Sequence, residues 1–503
     1  MDFEALREMI QVVNRNKVKR IEVLGNEDSD STLNELYFGI ASGKFASDAT
    51  ALQYFFETTD EKDNRYRKLR ARLVRQVLNT TFFIDVKQAQ FNDRQKAFYS
   101  CYRDFSAAYI LMFRGAATPA VDVLEQVLEQ CLKFEFTELT AEVTRFLRIY
   151  HGRLYGDQSK VERYATLHRD YEEKRYIEMK AFDYYENLVN YYITKRSPNQ
   201  DIHQAASKYY AELTPLLEQP NTSQFYYYYC QIGIIKFLAV NDCHNALNII
   251  DEALPKLQAA GNTSRGTLFT IAIQKLACLT QLRILTDGVG DEIAHYCLSI
   301  SEPDQFNWFR TQEIYFYYCA YGGRYQDALD IYAQVKASPR LSTLEGSFRD
   351  YWQLLGGYLH LLAALKKLNA ANVEQIVGPF RYKRFASDIE VLGKDKGGMN
   401  IPLVLLPVLY GLTQGGFDDS LISIEALDKY RKRYLDNEVN QRSNSFVKML
   451  IAYTKLPYEK AAAEKKIRKE LALLETLDPQ VVGQSFAIEI VPYEDLWTML
   501  REK

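Results

Sequence analysis

The chain has 503 residues, room for about three ordinary domains or one long repeat array. With 47% hydrophobic and 25% charged residues, its composition is that of a folded protein and excludes an intrinsically disordered one. Lys and Arg number 62 against 65 Asp and Glu, a net charge of −3, so the chain as a whole is not built to coat nucleic acid or an anionic membrane.

Residues 1–90 read as a small, mainly helical segment. MDFEALREMI carries acids where a secretion signal needs basic residues and an apolar core, and DFEALREMIQVVNR has a helical apolar stripe. KVKRIEVLG is expected as a short strand or extended link, and NEDSDS as an acidic loop that caps the helix of TLNELYFGIASGKF. ASDATALQYFFE opens on a serine-aspartate cap signal. NRYRKLRARLVRQVLNTTFFID is the most charged helix of the chain, with Tyr66, Leu69, Leu73 and Val77 as its buried stripe. Arg65, Lys68, Arg72 and Arg75 line a neighbouring face, joined by Arg67 and Arg70, with no acid between them. Such a ridge suits phosphates or an acidic partner, although a charge run is usually a solvated face or pairs with acids elsewhere in the fold, such as Glu35 or Asp60.

Residues 91–378 carry a recurring trio of small, bulky and aliphatic residues on a helix that follows another helix and a turn. GGRYQDALDIYAQV gives Ala328, Tyr332 and Val335, with Gly323 in the turn before and Pro339 after. The trio recurs as Ala120, Leu124 and Val127, as Ala206, Tyr210 and Leu213, and as Ala246, Ile250 and Ala253; Ala294 and Leu298 give a weaker version. From Ala206 onward the spacings are 40, 48 and 34 residues, and the gap from Ala120 to Ala206 leaves room for one more pair of helices. The pattern resembles the tetratricopeptide repeat family and its looser helical-repeat relatives over residues 95 to 365. Trp352, Leu355 and Gly356 approach the opening of that family's first helix, whereas Ala107, Ala108, Gly233 and Ile234 stand where other first helices depart from it. The resemblance implies an all-α fold, an irregular α-solenoid of helix pairs, whose first helices line an inner groove that clasps a segment of another chain. By register the groove residues are Tyr102, Phe105 and Tyr109 from one repeat, Tyr228 and Gln231 from a second, and Arg310, Glu313 and Tyr317 from a third. The same tyrosines suit packing against the next repeat equally well.

Residues 379–400, PFRYKRFASDIEVLGKDKGGMN, are expected as a linker or lid. Residues 401–503 read as a helical region that caps the array. NIPLVLLPVLYGL, SLISIEALDKYRKRYL and SFVKMLIAYTKL are helices, and PYEKAAAEKKIRKELALLETL is a helix with proline at its first position and Ala463, Ile467, Leu471 and Leu474 as its apolar stripe. FAIEIV is expected as a short strand before a last helix, PYEDLWTML.

Chemistry is not legible. The six histidines (151, 168, 203, 244, 295, 360) show no metal-ligand spacing. Cys243 lies next to His244, and His295 two residues from Cys297, spacings that point side chains apart on a helix. GKDKGG at 393–398 and GVG at 288–290 lack the order of a phosphate loop. The seven cysteines are unpatterned, as expected of reduced thiols in a cytoplasmic protein, and no apolar run is long enough to span a membrane. The expectation is a non-enzymatic scaffold or adaptor that binds a protein or peptide partner, with no cofactor, no metal and no membrane. The alternatives are a regulator whose basic helix contacts nucleic acid, and an array that docks to and controls a separate enzyme.

Overall fold

A computed structural model describes residues 3, 10, 32–58, 60, 63–85, 92–195, 200–219, 221–285, 288–344, 346–380, 400–413, 417–436, 440–477 and 489–502. Among the described residues 82% are helical, none forms a strand, and 21 α-helices pack in adjacent pairs. The class is all-α, with solenoid-like pairing. The chain divides into two compact units, residues 1–175 and 176–503.

In the first unit α1 (Thr32–Ala41), α2 (Asp48–Phe56) and α3 (Asn64–Thr81) enclose a small core that includes Leu36, Ile40, Phe45, Leu52, Leu73 and Val77. Ser47 caps α2 reciprocally: its hydroxyl accepts from the Thr50 N–H at 3.3 Å while the Thr50 hydroxyl oxygen accepts from the Ser47 N–H at 3.1 Å. A cap of this kind stabilises by about 1 kcal/mol. Asp63 caps α3 by accepting from the Arg65 N–H at 2.7 Å. Next come α4 (Asp93–Phe113), α5 (Ala117–Phe134) and α6 (Thr137–Tyr150), then a π-turn over His151–Tyr155. Ala120, Leu124 and Val127 of α5 are all buried, and the small side chain of Ala120 lets α4 approach. The gap read between Ala120 and Ala206 is filled by α6 and by α7 (Gln158–Lys195), a single helix of 38 residues within which the division between the units falls.

The second unit continues with α8 (Gln200–Leu213), α9 (Ser223–Leu238), α10 (Cys243–Ala259), α11 (Arg265–Gln281), α12 (Val289–Ile300), α13 (Phe306–Tyr321), α14 (Tyr325–Ala337), α15 (Gly346–Ala364) and α16 (Ala370–Val377). The trio alanines 206, 246, 294 and 328 are all fully buried. Two of the bulky trio residues share one device. Tyr210 of α8 lies over Gly233 of α9, where a Cβ would meet its ring at 2.6 Å. Tyr332 of α14 lies over Gly356 of α15, where a Cβ would meet its hydroxyl at 2.7 Å. In both, a glycine on a first helix makes the seat for a tyrosine of the preceding second helix. Gly323, at φ 70°, makes the left-handed turn between α13 and α14 that a side chain would strain.

The remaining helices are α17 (Asn400–Thr413), α18 (Phe417–Tyr434), α19 (Gln441–Thr454), α20 (Lys460–Thr476) and α21 (Tyr493–Glu502). Two expectations are corrected here. Pro457 does not open α20; the N–H groups of Tyr458 and Glu459 donate back to the Lys455 carbonyl at 3.0 and 2.8 Å, which closes a turn and delays the helix to Lys460. Glu489, Ile490 and Val491, the described part of FAIEIV, form no strand. Their polar groups go to side chains instead: the Glu489 carbonyl accepts from the Tyr321 hydroxyl at 2.8 Å and its carboxylate from Arg442 at 2.6 and 3.0 Å. Arg442 is itself buried, donates also to Glu494 of α21 at 2.9 Å, and reaches the end of α20 through the carbonyls of Leu474, at 2.7 Å, and Leu477. One guanidinium therefore ties α19 to α20 and α21. KVKRIEVLG, NEDSDS and residues 381–399 of the expected linker lie outside the described residues, as does most of DFEALREMIQVVNR.

Candidate functional site

The feature that departs most from an ordinary surface is the solvent face of α4. The helix buries one narrow stripe, Ala97, Cys101, Ala108 and Met112, against its neighbours. Phe105 and Leu111 are half-buried beside that stripe, and six further large side chains stay in solvent: Tyr102 is 38% exposed, Tyr109 42%, Ile110 62% and Phe113 73%, and Phe98 and Tyr99 are exposed as well. Aromatic rings run along the helix in contact, Phe98 with Tyr102 at 4.6 Å and Tyr109 with Phe113 at 4.8 Å between centroids. Phe146 of α6 flanks the row, 5.3 Å from Tyr109 edge to face and 6.1 Å from Phe105, and the Arg145 guanidinium lies 4.3 Å over its ring. Exposed apolar side chains are common singly; a continuous row of them marks a contact surface.

The expected groove residues fall into two groups. Tyr102, Phe105 and Tyr109 lie together on this row, Phe105 half-buried and the tyrosines exposed. The five from later repeats do not form a comparable surface. Gln231 is 1% exposed and exchanges two hydrogen bonds with Gln274 of α11, at 3.0 and 2.9 Å. Tyr228 is half-buried between the rings of Phe182 and Tyr185. Tyr317 is buried in the core of the second unit, its ring 6.5 Å from that of Tyr351. Glu313, also 1% exposed, accepts at both carboxylate oxygens from Arg310 at 2.8 Å. Burial pushes the Glu313 carboxyl up to about 7, against the pull of the half-buried Arg310. The second unit encloses Gln231, Glu313 and Tyr317 and does not present them to a partner.

The basic ridge is exposed along α3. Arg65 is held by Asp63 at 2.8 Å and lies 4.8 Å over the Phe56 ring; the arginine beside it lowers the Asp63 carboxyl to about 2. Arg70 turns to Asp48 at 2.9 Å. Arg67, Lys68, Arg72 and Arg75 are exposed and make no ion pair with any described residue. Glu35, one of the two acids weighed as partners, is taken by the Tyr54 hydroxyl at 2.5 Å and by Lys44 at 3.7 Å.

A polar cluster that sequence reading missed lies behind α5. Glu125 Oε1 is approached by His151 Nε2 and Lys160 Nζ at 2.9 Å each and by the Tyr164 hydroxyl at 3.1 Å. Burial alone would raise this carboxyl, but Lys160, Tyr164 and His151 outweigh it and hold it below its ordinary value. The four groups come from α5, the π-turn and α7, and nothing in their spacing of up to 39 residues announces them. The cluster satisfies the Glu125 carboxylate. Among the described residues no group of three His, Cys, Asp or Glu side chains is placed to hold a metal ion, and no helix is long and apolar enough to cross a membrane. All seven cysteines are unpaired and buried. No family model, curated protein or solved structure matches the chain.

Proposed function

We propose that the protein is a non-catalytic protein–protein interaction scaffold that takes a partner on the aromatic face of α4. The observation that carries this reading is the set of exposed large side chains on one helix, Phe98, Tyr99, Tyr102, Tyr109, Ile110 and Phe113, flanked by Phe146. Tyrosine and phenylalanine supply large contact area at low entropic cost, and such residues dominate the centres of protein interfaces. Pairing of successive helices agrees with a tetratricopeptide-like scaffold, in which function is carried by a surface rather than by a reacting group. The seven free thiols suit a reducing, cytoplasmic setting.

A photo-reactive phenylalanine analogue at position 102 tests the reading. It is expected to cross-link a protein, whereas the same analogue at Tyr458, which is 80% exposed far along the chain, captures only background. Equal, diffuse labelling from both positions would remove the support for α4 as a contact face.

A second reading, a regulator that contacts nucleic acid, is favoured by one observation: Arg67, Lys68, Arg72 and Arg75 are exposed on α3 and form no ion pair with a described residue. Binding through these groups would release counterions and weaken steeply with added salt. Replacing Arg65, Lys68, Arg72 and Arg75 by glutamine would then abolish it and leave the fold intact. The scaffold reading expects no binding of DNA or RNA oligonucleotides even at low salt.

A further inference from the structure

The exposed face of α4 is symmetric about its middle. Ser106 is exposed, and Tyr99 and Phe113 stand seven residues to either side of it. Tyr102 and Ile110 stand four residues to either side, Arg103 and Tyr109 three. On a helix of 3.6 residues per turn, offsets of three, four and seven return to one face, so these positions form a single stripe centred on Ser106. Ser106 and Ala107 are small and exposed, and small residues at a crossing point let two helix backbones come close.

From this we infer that α4 is covered by α4 of a second copy of the chain, packed antiparallel across a two-fold axis at Ser106. The inference rests on the reading of α4 as a contact face and names its occupant. Under that axis Tyr99 meets the partner's Phe113 and Tyr102 meets the partner's Ile110, so the most exposed apolar side chains cover one another. Arg103 comes opposite the partner's Tyr109, and Arg114, also exposed, opposite the partner's Phe98, which sets each cation of the stripe against an aromatic ring. The parallel alternative sets Arg103 against Arg103, a like-charge contact. In the single chain Arg103 is held only by its neighbour Asp104, at 3.0 Å in an exposed pair that competes weakly. A helix face that is its own complement is what an isologous dimer requires.

Sedimentation and a single cysteine test this. The native chain is expected to sediment at twice 58.4 kDa, and Ile110→Glu, a change at an exposed position, to sediment at the single-chain mass with an unaltered circular dichroism spectrum. Ser106→Cys places one accessible thiol on the axis of a chain whose own cysteines are all buried. Mild oxidation is expected to convert it to a disulfide-linked dimer, while Arg103→Cys, off the axis, stays single. A native chain that sediments as one copy, or a dimer that survives Ile110→Glu and leaves Ser106→Cys unlinked, would overturn the inference. The contact-face reading fails separately, when the photo-reactive residue at position 102 labels no more than the one at position 458; capture at position 102 of a protein other than this chain would overturn the second-copy inference and leave α4 as a contact face.

Discussion

Glu313 shows how much one enclosed side chain can set. Its carboxyl titrates near 7 in the folded chain, against 4.5 ordinarily, because burial opposes ionisation more strongly than Arg310 favours it. The folded state therefore holds a proton that the unfolded state has released, and the stability this gives is full below about pH 4.5 and lost as pH rises through 7. Glu313→Gln is expected to remove that slope: its melting temperature should gain on the native chain by several degrees between pH 5 and pH 8. A variant that instead loses ground at pH 8 would mean that the ionised pair is stabilising. The glycine seats make a second residue-scale prediction. Gly356→Ala drives a methyl toward the Tyr332 hydroxyl at 2.7 Å and toward Val377 at 2.8 Å, an overpacking that costs about 1–3 kcal/mol. Adding Tyr332→Phe removes the first of the two clashes and should recover part of the loss in a denaturant titration; no recovery would mean that the tyrosine is not what Gly356 accommodates.

At the scale of elements, Arg442 concentrates the hold on the C-terminal helices in one group. Arg442→Met leaves Glu489 buried without its cation, and breaking a buried pair from one side costs about 3–5 kcal/mol. Trp497, buried on α21 against Tyr453, reports it: a red-shifted emission and faster amide exchange across α21 are expected, with unchanged exchange over α8–α10. The sequence made the helices and their joints readable to different degrees. The Ser47 cap, the trio alanines and the apolar stripe of α20 were legible because each is written within a few neighbouring residues. The short strand expected around Glu489 was not avoidable from the sequence, since Ile-Glu-Ile-Val alternates like a strand while Arg442, which takes its carboxylate, lies 47 residues away. Gln231 was read as a groove residue for the same reason. A polar residue on a first helix looks exposed until Gln274, 43 residues on, supplies both of its hydrogen bonds. Helical spacing put Tyr102, Phe105 and Tyr109 near one another, Phe105 half-buried and the tyrosines exposed, but the part of that face with most exposure, Ile110 and Phe113, reads in isolation as core.

At the scale of the molecule, two compact units, each with most of its helix contacts between successive helices, should not melt as one. Calorimetry is expected to give a van't Hoff enthalpy well below the calorimetric one. Ala120→Leu should depress only the part of the melt that belongs to the first unit, and Ala328→Leu only the part that belongs to the second. A single two-state transition, shifted equally by both, would contradict this independence. The seats of Tyr210 and Tyr332 carry one further consequence. What Gly233 and Gly356 specify is a hole of a given size, and neither charge, polarity nor the length of the loop between helices enters into it. A joint set by the absence of a Cβ admits glycine alone at positions 233 and 356, while the ring that faces it is held by its bulk.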